Sequence, residues 1–83
     1  MGRKTEQEII EIIERALDVS QPVSITSSAA SISDWDSLGQ INIIVALDEA
    51  FGSGVSELQE MAVASSVKQI IEILRSVNKI ADV

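Results

Sequence analysis

Val67, Ile70, Ile71, Leu74 and Val77 recur at i, i+3, i+4, i+7 and i+10, which gathers all five on one side of a helix. A strand would scatter the same residues over both of its faces. This is the cleanest periodicity in the 83-residue chain, and it makes a C-terminal helix the first fixed element. Ser66 with Gln69 is a box-like start, and Arg75 and Lys79 near the end suit the helix dipole. The spacing predicts a last helix over about residues 66–79.

Three further segments read the same way. Thr5 followed by Glu8 is a capping box, and behind it Ile9, Ile13, Ala16 and Leu17 keep helical spacing, with Ile10 and Ile12 widening the stripe. Pro22 cannot continue that helix and disfavours the α region at Gln21, so the first helix spans about 5–18. A second helix opens at Asp36 or Ser37 and runs to Phe51, where Gly52 and Gly54 end it. Within it Ile43 to Leu47 is apolar nearly all round, as for a helix covered on more than one side. Ser56 with Gln59 opens a short helix over about 57–64. Nothing reads as a strand. The expected fold is all-α: one domain over 1–83, a small four-helix bundle of three longer helices and one short.

Residues 19–36 differ in kind. Six serines and one threonine fill these 18 positions, with Pro22 near the start and Asp34 and Asp36 near the end. Val23, Ile25 and Ile32 are too scattered for a helical face but suit anchors that pin a loop to a core. A connection this long is uncommon in a compact domain and usually has a function.

Charge is unevenly placed. The net charge is −7, and residues 16–67 hold seven acids with no Lys or Arg. Such a segment repels nucleic-acid and membrane phosphates and steers a basic protein partner. The longest apolar run, Ile43 to Leu47, is too short to cross a bilayer, so no membrane insertion is expected. No apolar stretch follows Gly2, Arg3 and Lys4, so no secretory signal is read and a cytoplasmic location is expected.

The chain has no Cys and no His, which removes disulfides, Cys/His zinc sites, thiol nucleophiles and histidine bases together. No catalytic residue and no metal site is therefore expected. Asp34, Asp36 and Gly39 imitate the opening of a calcium loop, but Leu38 and Val45 stand where oxygen ligands are required. What remains is Asp34-Trp35-Asp36-Ser37-Leu38-Gly39, a hydroxyl in the first turn of a helix at the end of a long loop. Free N–H groups and the dipole make that a favourable place for a phosphodiester. Gly39 one turn in costs about 1 kcal/mol of helix propensity against Ala, which argues that room is needed there.

The run Asp36-Ser37-Leu38-Gly39-Gln40-Ile41-Asn42-Ile43-Ile44-Val45-Ala46-Leu47-Asp48-Glu49-Ala50-Phe51-Gly52 closely resembles the second helix of acyl carrier proteins. The likeness extends along nearly the whole chain: a first helix, a long loop with Pro and Ser, a short third helix, and Ser65-Ser66-Val67 opening the last. Trp35 before the Asp-Ser looks like discrete bacterial carriers outside primary fatty-acid synthesis. The resemblance implies that Ser37 receives 4′-phosphopantetheine from coenzyme A through a separate phosphopantetheinyl transferase, which carries the magnesium. The arm's thiol would hold an acyl group as a thioester, so the chain would be a substrate and not an enzyme. Asp36 and Leu38 would flank the attachment point in the transferase contact. Val45, Asp48 and Glu49 would belong to the face where basic patches of acyl-transferring, ligase or synthase enzymes dock, with core packing the alternative for Val45 and a solvated helix face that for the two acids. A fatty cargo would enter the core between helices, and the carrier would be a monomer.

Departures are visible too. Gly39 and Asn42 stand where many members carry acids, and Met61 to Ala64 is unusually apolar. The Gly-Gly-x-Ser pattern of peptidyl carriers is absent. An aminoacyl or D-alanyl carrier stays open, as does a small acidic helical adaptor that never bears an arm.

Overall fold

The computed structural model describes residues 3–19, 22–52 and 54–81. Three α-helices lie in it: α1 (Glu6–Leu17), α2 (Ser37–Phe51) and α3 (Val67–Ser76), with a 3-10 helix, Gln59–Val63, between the last two. Among the described residues there is no strand, only isolated bridges pairing Lys4 with Ile80 and Ser28 with Ser66. The radius of gyration, 11.4 Å, is close to the roughly 12 Å expected of a compact chain this long.

The helix starts follow from their caps. Glu8 N–H donates to Thr5 Oγ1 at 3.2 Å while Thr5 N–H donates to Glu8 Oε1 at 2.9 Å, the reciprocal box the sequence predicts. α1 ends at Asp18, left-handed at φ 53°, whose N–H returns to Glu14 O. Gln21, where Pro22 was expected to act, lies outside the described residues. Glu14 Oε2 then accepts from Val23 N–H at 2.8 Å and seats Val23 in the core. Ile32 is half-buried, whereas Ile25 is an exposed residue and anchors nothing.

The serines of the long loop act as local caps. Ser24 N–H donates to Ser27 Oγ and Ser28 N–H to Ser31 Oγ, each at 3.0 Å, folding the segment into turns. Ala29 N–H donates to Ser65 O and Val67 N–H to Ser27 O, which stitches the loop to the start of α3. Beneath these connections Ile9, Ile13, Ile43, Leu47, Met61, Ile70, Ile71 and Leu74 form a fully buried core. No polar or charged side chain is buried among the described residues.

Two expected boundaries are corrected. The short helix over 57–64 is a five-residue 3-10 helix, Gln59–Val63. Ser56 does not cap it: its N–H and hydroxyl turn to Asp48 Oδ1, and Leu58 at the N-cap offers no side-chain bond. The last helix stops at Ser76 instead of 79, because Asn78 takes the left-handed conformation at φ 64° and Lys79 N–H returns to Leu74 O. That turn lets the chain pair with Lys4, whose N–H donates to Lys79 O and whose carbonyl accepts from Ala81 N–H. The ammonium groups of Lys4 and Lys79 then lie 5.8 and 5.3 Å from the centre of the Phe51 ring.

Candidate functional site

Ser37 is the first residue of α2 and is exposed. Asp36 before it is the N-cap, its Oδ1 accepting from Gly39 N–H at 2.9 Å. Gln40 N–H makes the first backbone bond of the helix, to Asp36 O. The N–H groups of Ser37 and Leu38 therefore have no partner among the described residues, nor does the Ser37 hydroxyl. An anion attached to Ser37 Oγ meets two free donors at the positive end of a helix. In its size, exposure and open donors the position fits a phosphodiester.

The room required at Gly39 belongs to the fold. A Cβ there would lie 2.4 Å from Asp34 O and 2.8 Å from Leu17 Cδ2. The missing side chain lets the end of the loop cross the first turn of α2 and lets α1 close beneath it.

Trp35 is the loop's anchor, only 4% exposed. Its Nε1–H donates to Gln40 Oε1 at 2.6 Å, and Gln40 Nε2 donates to Met61 O at 2.7 Å. Loop, α2 and 3-10 helix are thus tied at one side chain, three residues from Ser37. Sequence reasoning passed over Gln40; the available signal was a lone amide entering an apolar run, five residues after the chain's only Trp. Beside this knot an open groove of about 450 Å³ runs between α2 and the 3-10 helix, lined by Ser37, Trp35, Gln40, Ile41, Ile44 and Val63 among others.

The outer side of α2 carries a second feature. Leu38, Ile41 and Val45 are 66%, 56% and 51% exposed, at i, i+3 and i+7 on one face. Val45 is accordingly no core residue. The two acids expected on the docking face part company. Asp48 is half-buried, and its Oδ1 accepts from Val55 N–H at 2.9 Å and Ser56 N–H at 3.2 Å, holding the segment after α2 in place. Glu49 is exposed, as is Asp36.

No group of three or more acids that would hold a metal occurs among the described residues. No helix among them is long and apolar enough to cross a membrane. No protein-family model, no curated protein and no solved structure matches this chain.

Proposed function

We propose that this chain is an acyl carrier protein whose 4′-phosphopantetheine arm is borne by Ser37. The observation that carries the reading is the exposed, unbonded Ser37 hydroxyl at the start of α2, framed by Asp36 and Leu38 and opening onto an apolar groove. The Asp36–Gly52 run and its likeness to the carrier family's second helix support it. In this reading the 3-10 helix takes the place of the short third helix of a four-helix carrier bundle.

Ser37 Oγ attacks the pyrophosphate of coenzyme A on a separate magnesium-bearing transferase. The new Oγ–P bond replaces the P–O bond to the adenosine 3′,5′-bisphosphate that leaves, and the hydroxyl proton passes to a base of the transferase. The arm's thiol supplies the reactive sulfur that a chain without Cys lacks. The chain itself then presents cargo and catalyses nothing. Leu38, Ile41 and Val45 form the apolar centre of a docking face, with Asp36 and Glu49 as exposed charges at its rim. Basic patches on ligases, synthases or acyltransferases complement that rim and are steered to it. Asp48 contributes its field there, its oxygen being already engaged.

Intact mass after incubation with coenzyme A, magnesium and a broad-specificity phosphopantetheinyl transferase tests the reading. A gain of one phosphopantetheine, absent in Ser37→Ala, is the expected result. No gain on folded protein, with several transferases, would favour the adaptor, for which the exposed stripe on α2 is equally suited.

A further inference from the structure

We infer that Gln40 is the specificity-determining residue of the groove at Ser37, a latch that admits short apolar cargo at the surface and resists longer cargo. The inference rests on the carrier reading of Ser37, and its occupant is the apolar group that Ser37 carries, because Ser37 itself lines the groove.

Two side chains of α2 hold the segment 55–64 by hydrogen bonds: Asp48 at one end, through Val55 and Ser56, and Gln40 at the other, through Met61 O. The chemistry at Gln40 is demanding. Trp35 Nε1–H only donates and Met61 O only accepts, so the side chain between them needs one acceptor and one donor. Glu in its ionised form lacks the donor and Lys lacks the acceptor; the amide of Gln serves both, in one orientation only.

This bridge ties the two elements that line the groove. Ile41 and Ile44 of α2 line it on one side and Ala62 to Ala64 on the other, and Trp35 and Gln40 line it too. Met61, Ile43 and Leu47, on the same two elements, are fully buried and do not line the groove. A cargo that fits the groove leaves the bridge intact. A longer one has to part α2 from the 3-10 helix, and so has to break the bond from Gln40 to Met61 O. Trp35, bonded to the same amide, reports that break, and it is the only Trp in the chain.

The transferase loads wild-type protein from acetyl- and from decanoyl-coenzyme A, and intact mass establishes that each group sits on Ser37. The single indole N–H resonance is then followed by NMR. Expected is an acetyl form indistinguishable from the unloaded protein. In the decanoyl form the resonance moves, because the amide that accepts from the indole has lost its bond to Met61 O. Gln40→Leu removes both arms and should erase the difference between cargoes; Gln40→Glu keeps the Trp35 bond but lacks the Met61 bond before loading, so decanoyl should leave its indole resonance where the unloaded variant has it. Full loading with an unmoved indole in the decanoyl form overturns the latch alone and leaves the carrier reading standing. Absence of loading overturns the carrier reading, and the latch with it. Should the variants fail to fold by circular dichroism, the wild-type pair decides by itself.

Discussion

The first turn of α2 differs from those of α1 and α3 at one position. In α1 the third helical residue is Glu8, which reaches back to Thr5 N–H; in α3 it is Gln69, which reaches back to Ser65 N–H at 2.8 Å. In α2 it is Gly39, which has nothing to reach with. The outer faces differ in parallel: α1 and α3 bury one apolar stripe each, while α2 buries Ile43 and Leu47 and leaves Leu38, Ile41 and Val45 in solvent. Two helices are finished by the fold itself. The third has a bare third position beside an exposed hydroxyl, and its apolar face has no neighbour among the described residues.

The largest effect tests whether the two kinds of stripe are energetically distinct. Leu74 is fully buried on α3, and Leu74→Ala should cost about 2–5 kcal/mol, because it removes transfer energy and leaves a cavity. Val45→Ser on the outer face of α2 should change stability by no more than about 0.5 kcal/mol. Urea denaturation of the two variants reads both values. If Val45→Ser costs as much as Leu74→Ala, the α2 stripe is packed in solution and the contrast between the helices collapses.

The middle effect concerns Gly39. On helix propensity alone Gly39→Ala should stabilise by about 1 kcal/mol. The close approach of Asp34 O and Leu17 Cδ2 opposes this, and overpacking costs about 1–3 kcal/mol. Asp34 O is backbone and cannot step aside as a side chain does, so the net sign should be destabilising. The same melt that measures it should show the Trp35 environment disturbed, since Asp34 precedes Trp35. A stabilised Gly39→Ala would mean that the loop does not cross the first turn of α2.

These cases mark how far the residues spoke for themselves. The Thr5–Glu8 box and the extent of α2 were legible, because each depends on neighbours in sequence. The 3-10 helix was not: Ser56 looked like a cap, and only the fold brings Asp48 close enough to take it. Nor did spacing say which side of α2 stays open, since a helix apolar nearly all round has no face to prefer. Ser37 stood out by its motif alone, whereas Gln40 has no motif and acquires its role from Trp35 on one side and Met61 on the other.

The smallest effect sharpens the contrast between first turns. Glu8 has its carboxyl held below the usual 4.5, chiefly because its ionised form accepts from Thr5 N–H. A lowered folded value means that ionised Glu8 favours the folded state. That contribution is complete above about pH 4.5 and disappears as the pH falls through the lowered value. Wild type should therefore exceed Glu8→Gln in stability at pH 6, and the gap should close towards pH 3. Because the group is fully exposed, added salt should narrow the gap at pH 6 as well. Urea melts at the two pH values measure it. Equal stability of the two at pH 6 would mean that the box works through hydrogen-bond geometry alone, which Gln reproduces. The first turn of α1 would then be closed no more firmly than that of α3, where Gln69 already does this without a charge.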